Sequence, residues 1–452
     1  MPITIECFKA YDVRGRIPNQ LNEDICYRIG NATAEFLGVD SVVVGRDMRL
    51  SSPDFADAVI RGLVDAGCNV LDIGMCGTEM VYFATAHLQA GAGIMVTASH
   101  NPADYNGLKF VREEARPISA DTGLVDIRRI AEGDERRIAG NTGDVQRIEI
   151  LDDYVEHMLT YVEAERLKPL KLVVNAGNGC AGIAIDALEE HLPFDFIKVH
   201  HEPDGTFPNG IPNPLLPENR AATIDAVITN GADMGIAWDG DFDRCFLFDE
   251  NGGFIEGYYV VGLLAESILK NHRGGNIVHD PRLTWNTLDV VEQAGGQAVQ
   301  SKSGHSFIKE KMREVDGVYG GEMSAHHYFR EFSYADSGMI PWLLVAELVS
   351  RSGKSLSQLV SERQATYPTS GEINRTVDDA EAMLAMLHAR YAGDAIDVDD
   401  TDGYSFEFPE WRFNIRMSNT EPVVRLNLES RGDTALMNAK TAEVLQILEN
   451  KD

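Results

Sequence analysis

Three segments of the chain repeat one order of hydrophobic and polar positions. Each opens with a short apolar run, passes through a polar loop into a stretch of helical spacing, and closes with a second apolar run. The segments cover residues 41–74, 170–200 and 276–304. This alternation predicts α/β layers, in which binding loops follow the carboxyl ends of the strands.

The first and third segments share a further feature. GRDMR at 45–49 and HDPR at 279–282 both place arginine and aspartate directly after a strand. Three related α/β domains with mixed sheets are the simplest interpretation. After about residue 367 the pattern changes to alternating strands between two helical stretches, which predicts a smaller α+β domain with an antiparallel sheet. We place the four domains at 1–147, 148–250, 251–367 and 368–452.

The composition agrees with several globular domains. The chain has 452 residues, more than one hydrophobic core usually supports. Its 40 basic and 71 acidic side chains give a formal charge of -31, which repels nucleic acid and anionic membrane surfaces. We therefore expect neither as a partner. An anionic substrate would need arginine, lysine, backbone amides or a metal ion to reverse the local field.

Cysteine usage and hydropathy indicate the compartment. Six cysteines, with no C-x-x-C pair among them, lie among apolar neighbours, as free thiols do in a reducing environment. No stretch reaches about 18 uninterrupted apolar residues, and the first residues lack the basic flank and apolar run of a secretion signal. These features predict a cytoplasmic protein without a membrane-spanning helix.

A serine, Ser99, stands at the centre of the polar loop Thr97–Pro102, which follows an apolar run. Loops at strand ends are common catalytic positions, and a serine oxygen serves in phosphoryl transfer when cations surround the moving group. His100 and Lys109 are close enough in sequence to act as catalytic groups beside it. The alternative is a loop of small polar residues that only caps its own turn.

Three aspartates, Asp239, Asp241 and Asp243, alternate between one apolar run and the next. Carboxylates this close repel one another unless a cation lies between them, so a divalent metal ion is the natural partner. A solvated acidic turn is the alternative. An EF-hand calcium loop matches poorly, because Arg244 occupies the position that needs glycine and the flanks have strand patterning. Arg244 is placed to neutralise the carboxylates or to contact a substrate.

The glycines of NAGNGCAG, residues 175–182, stand between a strand and a helix with the G-x-G-x-x-G spacing of a dinucleotide-binding loop. A nucleotide-dependent oxidoreductase is therefore the rival enzyme class. The acid that would bind the ribose hydroxyl is only loosely placed, since two histidines separate the next strand from Glu202. Glycines of this kind also serve any tight strand-to-helix turn.

Two later loops carry polar side chains suited to a phosphorylated substrate. In residues 320–329, Glu322, Ser324 and His326 offer hydroxyl-binding groups and a titratable imidazole. In RMSNTEP, residues 416–422, an arginine, two hydroxyls and successive amides are the groups expected of a phosphate nest, the local positive site that the acidic composition requires. Taken singly, the first segment also fits a surface or capping role and the second an ordinary hairpin turn.

The motifs occur together and in order along the chain: YDVRG at 11–15, TASHNP at 97–102, DGDFDR at 239–244, GEMSAHHYF at 321–329 and RMSNTEP at 416–422. The set closely resembles the α-D-phosphohexomutase family over nearly the whole chain, and within it the bacterial phosphomannomutases. The resemblance implies a four-domain molecule, three α/β domains and a C-terminal α+β domain, each giving one loop to a central cleft.

The resemblance also implies roles around the transferred phosphate. Ser99 would be the phosphoserine, and the three aspartates would hold Mg²⁺, with the phosphoserine completing the metal's coordination. Other groups near the phosphate would be Tyr11, Arg14, Lys109, His305 and His326, the last as a candidate acid or base.

The resemblance assigns recognition of the sugar phosphate to two further loops. Glu322 and Ser324 would bind the 3- and 4-hydroxyls of the sugar. The phosphate that does not react would be held by Arg416, Ser418, Asn419 and Thr420. Transfer from Ser99 would give hexose 1,6-bisphosphate, which turns end for end and returns its other phosphate. Mg²⁺ and hexose 1,6-bisphosphate are thus the expected cofactor and activator.

Sugar preference is less directly indicated, because the 3- and 4-hydroxyls have the same configuration in glucose and mannose. GEMS and SAHHYF resemble the mannose-using members, which favours interconversion of mannose 6-phosphate and mannose 1-phosphate for GDP-mannose synthesis. Arg282 is an expected substrate-binding residue that stands where the dual-specificity members have lysine. Arginine and lysine side chains bind hydroxyls in different geometries. The alternatives are a phosphoglucomutase or dual-specificity phosphohexomutase, the oxidoreductase, and a catalytically silent sugar-phosphate sensor.

Overall fold

The computed structural model describes residues 3–417 and 423–449. The chain divides into two compact units, Met1–Phe254 with His326–Gly353, and Ile255–Ala325 with Lys354–Asp452. We call these unit 1 and unit 2.

Unit 1 begins with a mixed α/β domain. Its strands are β1 Val13–Arg16, β2 Ser41–Arg46, β3 Asn69–Met75, β4 Ala92–Val96, β5 Tyr105–Arg112, β6 Arg116–Pro117 and β7 Val145–Arg147. Its helices are α1 Glu23–Leu37, α2 Ser52–Asp65, α3 Thr78–His87, α4 Leu124–Glu132 and α5 Leu151–Leu159. The strand order is β1-β5-β4-β2-β3-β7, with β6 beside β5. The central strands β4, β2 and β3 are parallel, whereas β5 runs antiparallel to β4 and β1.

The first helix shows how local sequence sets these elements. Asn22 caps α1 by accepting a hydrogen bond from the amide of Ile25, and two acidic residues in the first turn suit the positive end of the helix. Gly38 ends the helix in the left-handed conformation that glycine adopts without strain. The apolar faces of α1 and α2 then pack with the central strands to form the core of this domain.

A second α/β domain follows in unit 1. Its elements are β8 Lys171–Asn175, α6 Ala181–Glu189, β9 Asp195–Val199, α7 Ala221–Asn230, β10 Met234–Trp238, β11 Cys245–Phe248 and β12 Phe254–Ile255. Strands β9, β8 and β10 are parallel neighbours in that order, and β11 returns antiparallel to β10. The connection between β10 and β11 therefore places residues 239–244 at the carboxyl end of a buried strand.

The third segment is shared between the units. Its elements are α8 Gly257–Leu269, β13 Asn276–His279, α9 Trp285–Gln293, β14 Gln297–Gln300, α10 His305–Val315, β15 Gly317–Gly321, β16 His327–Phe329, β17 Ala335–Asp336, α11 Met339–Ser352 and α12 Leu356–Thr366. Strands β16 and β17, an antiparallel pair, and helix α11 belong to unit 1. In unit 2, β13 pairs in parallel with β14 and β15.

The C-terminal part of unit 2 is an antiparallel α+β domain, as predicted. Its elements are β18 Thr369–Thr376, α13 Ala380–Tyr391, β19 Asp397–Asp399, β20 Tyr404–Glu407, β21 Trp411–Met417, β22 Val423–Ser430 and α14 Thr434–Glu449. The strand order is β18-β22-β21-β20-β19. Both helices and the inner strands contribute to one apolar core. The three-residue strand β19 is an addition to the predicted elements.

The expectation of free cysteine thiols is confirmed. All six cysteines are buried free thiols. Within residues 3–417 and 423–449, no helix combines the length and apolarity that crossing a bilayer requires.

Candidate active site

Ser99 lies in the loop between β4 and β5 of unit 1 and is 4% exposed. Its φ of 47° is left-handed, a conformation that costs a residue other than glycine about 1 to 3 kcal/mol. The amide of Ser99 donates to Thr97 Oγ1 at 2.9 Å. The buried guanidinium of Arg49 donates to the carbonyl oxygens of Ser99, Asn101, Pro102 and Tyr105. The surrounding structure therefore holds Ser99 in a conformation that the residue would not prefer by itself.

The three aspartates lie in the β10–β11 connection and are buried, with exposures of 0%, 0% and 3% for Asp239, Asp241 and Asp243. The flanking elements are antiparallel strands rather than helices, which excludes an EF-hand. Gly240 permits the close approach of this loop to the serine loop, because a Cβ there would lie 2.6 Å from the carbonyl oxygen of Ser99. The two loops thus pack backbone against backbone.

The aspartate cluster fits a hard divalent cation. Ligand oxygens of the three side chains all lie within 4.8 Å of one another. Asp239 Oδ1 and Asp241 Oδ1 are buried and have no hydrogen-bond partner among the described residues. Burial and the neighbouring Asp241 raise the pKa of Asp243, which reflects the repulsion inside the cluster. An oxygen-coordinated cation such as Mg²⁺ would use the unpartnered oxygens and relieve that repulsion.

Lys109 in β5 supplies a positive charge beside the cluster. Its Nζ donates to Asp241 Oδ2 at 2.7 Å and to Asp243 Oδ2 at 2.5 Å. Burial alone would lower the pKa of Lys109, but the two carboxylates raise it above its ordinary value. Lys109 is therefore a charged ammonium group, suited to electrostatic stabilisation of a phosphoryl group rather than to proton transfer.

Ser99 and Asp239 are joined directly, since Ser99 Oγ donates to Asp239 Oδ2 at 2.7 Å. Ser99 Oγ is also 2.9 Å from His100 Nδ1. Arg244 Nη2 lies 2.7 Å from the same His100 nitrogen, and Arg244 Nε donates to Asp239 Oδ2 at 2.9 Å. Because a guanidinium only donates, His100 Nδ1 is an acceptor and carries no proton. The Nδ1 lone pair of the catalytic candidate His100 therefore accepts from Arg244, while the Ser99 hydroxyl donates to Asp239.

The other predicted site residues of unit 1 lie close to the Ser99 loop or to the aspartate cluster. Arg14 in β1 donates from Nη1 to the carbonyl oxygen of Thr97 at 3.1 Å, and Tyr11 lies just before that strand, partly buried. His326 Nδ1 is 2.9 Å from Asp336 Oδ2. Ligand atoms of His326, Asp336 and Asp243 lie within 4.8 Å of one another. The structure thus brings the candidate acid or base next to the aspartate cluster.

A separate group of predicted residues lies in unit 2. Arg282 Nη2 donates to Asp280 Oδ2 at 2.7 Å and also lies 3.4 Å from Glu322 Oε1 and 3.3 Å from Ser324 Oγ. Glu322 Oε1 in turn accepts from the amide of Gly304 at 2.9 Å. Arg282 therefore contacts both residues that the family resemblance assigns to the sugar hydroxyls. His305, the first residue of α10, follows Gly304 directly.

The predicted phosphate loop is described only at its start. Arg416 in β21 is buried, and its Nη2 lies 3.4 Å from Glu372 Oε2. Ser418, Asn419 and Thr420 lie outside the described residues, so their roles remain predictions.

The glycine-rich loop that suggested nucleotide binding has a packing role. The amide of Cys180 donates to the carbonyl oxygen of Gly240 at 3.1 Å. A Cβ at Gly179 would lie 2.7 Å from that same oxygen, so this glycine allows the loop to support the aspartate loop. The need for glycine at position 179 is thus explained by packing against the aspartate loop.

Several residues that contact the Ser99 loop, the aspartate cluster or the group around Arg282 were not among the candidates. Arg49 and Asp280 lie in the GRDMR and HDPR motifs, so their position after a strand was a usable signal. Thr78 and Glu372 contact residues distant in sequence, and Asp336 contacts His326 ten positions away; none of the three carried such a signal.

Thr78 gives a first testable prediction. Its Oγ1 donates to Asp241 Oδ2 at 2.6 Å and its amide donates to the Asp241 carbonyl oxygen at 3.0 Å. Partners that orient metal ligands commonly contribute about 10- to 100-fold in metal affinity. Thr78→Val should therefore weaken Mn²⁺ binding by about that factor in a direct titration. Thr78→Ser retains the hydroxyl and should bind nearly as the original protein does; equal weakening in both variants would contradict this role.

Comparison with known proteins covers the chain from end to end. Models of the phosphoglucomutase/phosphomannomutase alpha/beta/alpha domains I, II and III match residues 6–137, 152–253 and 256–367, and the model of the C-terminal domain matches 372–446. A protein of Xanthomonas campestris pv. campestris named phosphohexose mutases is 60% identical over 446 residues, 99% of this chain and 100% of that protein. The phosphomannomutase of Escherichia coli K12 is 58% identical over 451 residues, 98% of this chain and 99% of that protein.

Solved structures show the same architecture. A phosphoglucomutase/phosphomannomutase family protein of Burkholderia thailandensis superposes with a TM-score of 0.88 at 32% identity, covering 99% of both chains. A putative phosphomannomutase of Thermus thermophilus gives a TM-score of 0.85 at 25% identity, covering 100% of both chains.

Proposed function

The chain belongs to the phosphoglucomutase/phosphomannomutase family, and from this premise we propose that it interconverts mannose 6-phosphate and mannose 1-phosphate for GDP-mannose synthesis. The proposed carrier of the phosphoryl group is Ser99, and the intermediate is a hexose 1,6-bisphosphate. One observation carries the proposal: a buried, conformationally constrained serine donates to an aspartate of a cluster that could hold a metal ion, and the ammonium group of Lys109 lies beside that cluster.

The unit 1 residues would divide the chemistry as follows. Arg14 and Lys109 would bind phosphoryl oxygens, and Arg244, which contacts Asp239 and His100, would hold both in place. Mg²⁺ bound by the three aspartates would offset the negative charge that develops during transfer. His326 would exchange a proton with the reacting sugar hydroxyl, because Asp336 fixes Nδ1 and thereby orients the ring.

Recognition of the sugar phosphate would use the remaining candidates. Glu322 and Ser324 would bind sugar hydroxyl groups, since they combine a carboxylate acceptor with a hydroxyl. Arg282 contacts both side chains and would hold them in place. The wider set proposed for substrate binding is Tyr11, Arg244, His305, Arg416, Ser418, Asn419 and Thr420.

With a formal charge of -31 the chain suits a small anionic substrate held by local cations rather than nucleic acid or a membrane surface. The proposed domains remain 1–147, 148–250, 251–367 and 368–452, in a cytoplasmic enzyme.

The decisive experiment is a coupled assay of mannose 1-phosphate conversion, run beside glucose 1-phosphate with Mg²⁺ and a trace of hexose 1,6-bisphosphate. We expect faster turnover of the mannose ester and a phosphate on Ser99 by mass spectrometry. Equal rates would assign a dual-specificity phosphohexomutase instead, and faster turnover of glucose 1-phosphate would assign a phosphoglucomutase. If neither sugar reacts while Ser99 is phosphorylated and metal is present, the substrate assignment is wrong.

A further inference from the structure

One buried carboxyl group of unit 1 takes no part in the proposed chemistry. Glu79, in the first turn of α3, is 0% exposed. Its Oε1 lies 2.5 Å from the hydroxyl of Tyr154 and 2.8 Å from that of Ser337. Its Oε2 accepts from the amides of Gly338 at 2.5 Å and Met339 at 3.2 Å. Burying a carboxyl group is unfavourable unless hydrogen bonds compensate, so the side chain at position 79 serves these contacts rather than apolar packing.

The contacts of Glu79 fix the turn between β17 and α11. Ser337 follows Asp336, which ends β17, and Gly338 immediately precedes α11. The hydroxyl of Ser337 also accepts from the amide of Met339 at 3.1 Å. Glu79 and Ser337 together therefore satisfy the first amides of α11, which have no partner within the helix itself.

The same turn packs against the connection that carries the three aspartates. A Cβ at Gly338 would lie 2.3 Å from the carbonyl oxygen of Phe242, so only glycine permits this approach. Trp238 Nε1 donates to the carbonyl oxygen of Gly338 at 2.8 Å. The turn is thus a junction between the carboxyl group of Glu79 and the aspartate loop.

Asp336 connects this turn with the candidate acid or base. His326 Nδ1 lies 2.9 Å from Asp336 Oδ2. Because a carboxylate only accepts, this contact places a proton on Nδ1 and assigns exchange of a proton with substrate to Nε2. A displacement of the turn would move Asp336 and would change both the orientation of the ring and the position of its proton.

We propose that Glu79 is a positioning residue, which holds the turn between β17 and α11 and thereby fixes the tautomer and orientation of His326 through Asp336. The inference rests on the proposed function, because it takes His326 as the acid or base. The preceding residue, Thr78, contacts Asp241 instead. The first turn of α3 would therefore support the aspartate cluster through one residue and the acid or base through the next.

The hydrogen bonds of Glu79 matter more to this role than its charge. Burial raises the pKa of Glu79 to about 8, although the surrounding donors lower it. The carboxyl group is therefore largely protonated at neutral pH, and it keeps both hydroxyl contacts, since a hydroxyl accepts as well as donates. A glutamine has the same shape, with an oxygen for the two amides and an NH₂ group for the two hydroxyls. Glu79→Gln should consequently preserve the turn.

Steady-state kinetics with mannose 1-phosphate test the inference. Glu79→Ala should lower kcat by about 10- to 100-fold and leave KM nearly unchanged, since a misplaced acid or base slows the chemical step and not binding. Glu79→Gln should retain kcat within about twofold. In a His326→Asn background, adding Glu79→Ala should cost nothing further, because a residue that acts through His326 is not additive with its loss. Original kcat in Glu79→Ala, or the same added loss in the His326→Asn background, would overturn the inference.

A second measurement does not depend on turnover. In the full chain labelled with ¹⁵N-histidine, with Mg²⁺ present, NMR spectra of the imidazole nitrogens show which ring nitrogen carries the proton. The His326 signal is identified by its absence from His326→Asn. We expect a proton on Nδ1 in the original chain and in Glu79→Gln, and loss of this preference in Glu79→Ala. An unchanged His326 signal in Glu79→Ala would contradict the positioning role.

The controls address folding. Glu156→Ala, at an exposed position of α5, is the matched control and should keep the original kcat and His326 signal. Thermal unfolding identifies folded variants. If Glu79→Ala does not fold, Ser337→Ala decides, because it removes the hydroxyl that lies between Glu79 and the amide of Met339. That variant should change kcat and the His326 signal in the same direction, and a folded Ser337→Ala with both unchanged would overturn the inference.

The outcome is separable from that of the proposed function. If the original chain converts neither sugar phosphate, the imidazole spectra still decide whether Glu79 fixes the tautomer of His326. If His326→Asn keeps the original kcat, the acid or base role of His326 and the inference fail together. Normal turnover of the original chain with unchanged kcat in Glu79→Ala would overturn the positioning role alone.

Discussion

Replacing Ser99 by alanine should reduce turnover by about a million-fold, a loss of the size seen when a catalytic nucleophile is removed. The hydroxyl that donates to Asp239 at 2.7 Å is the only part of the residue removed, and alanine keeps the Cβ that makes the left-handed backbone unfavourable for serine as well. Mannose 1-phosphate should still bind with nearly its original affinity, because the proposed recognition residues are untouched. Steady-state rates and calorimetric binding measure the two quantities separately.

A matched serine-to-alanine control is available at Ser361, an exposed position in α12 whose hydroxyl makes a long contact of 3.4 Å with the carbonyl oxygen of Gln358. Ser361→Ala should retain full activity and the phosphate on Ser99. Turnover of Ser99→Ala near that of the original protein would exclude Ser99 as the phosphoryl carrier. Loss of both turnover and substrate binding would instead indicate a collapsed loop.

The two motifs that suggested related domains have the same local structure. In GRDMR the amide of Arg49 donates to Asp47 Oδ1 at 2.9 Å, and in HDPR the amide of Arg282 donates to Asp280 Oδ1 at 2.9 Å. This turn depends only on residues two positions apart, so its presence could be predicted from the sequence. The side chains of the two arginines contact different groups. Arg49 binds carbonyl oxygens of the serine loop, whereas Arg282 lies among Glu322, Ser324 and Glu372.

The parts of the site that were not predicted depend on contacts between different elements of the fold. Asp336 meets His326 from the next strand, and Glu372 meets Arg282 across 90 residues of sequence. Periodicity and spacing report which face of an element is buried, but they do not report which side chains meet across a folded domain. The candidates Ser99, Asp239, Asp241 and Asp243 were identifiable because they occupy short loops that follow apolar strands.

The acidic composition predicted that an anion would need local cations, and unit 1 provides them. Lys109 and Arg244 each contact an aspartate of the cluster, and Arg14 binds the loop of Ser99. These side chains are largely buried, so their fields are screened less by solvent and salt than those of surface charges. The formal charge of -31 therefore describes the long-range field of the molecule and not the field at Ser99.

Replacing Asp241 by asparagine should raise the Mg²⁺ concentration needed for half-maximal activity by about 100-fold or more, beyond the effect expected for a residue that only orients a ligand. Asp241 Oδ2 accepts from Lys109 and Thr78, while Oδ1 is buried without a partner among the described residues. An asparagine amide must either turn its NH₂ group toward those two donors or turn it toward the cation. Both orientations remove a negative charge from the cluster, and the second also removes the ligand oxygen.

Direct binding provides a measurement that does not depend on turnover. Mn²⁺ titration of Asp241→Asn should show the same loss of affinity as the activity profile. The rise in unfolding temperature on adding Mg²⁺ should shrink, because the stabilisation by a ligand grows with the ratio of its concentration to its dissociation constant. Asp225→Asn, at an exposed position in α7, is the matched control and should respond to metal as the original chain does. If folded Asp241→Asn keeps the original metal response in both measurements, Asp241 is not a ligand and the cluster must bind its cation through other oxygens.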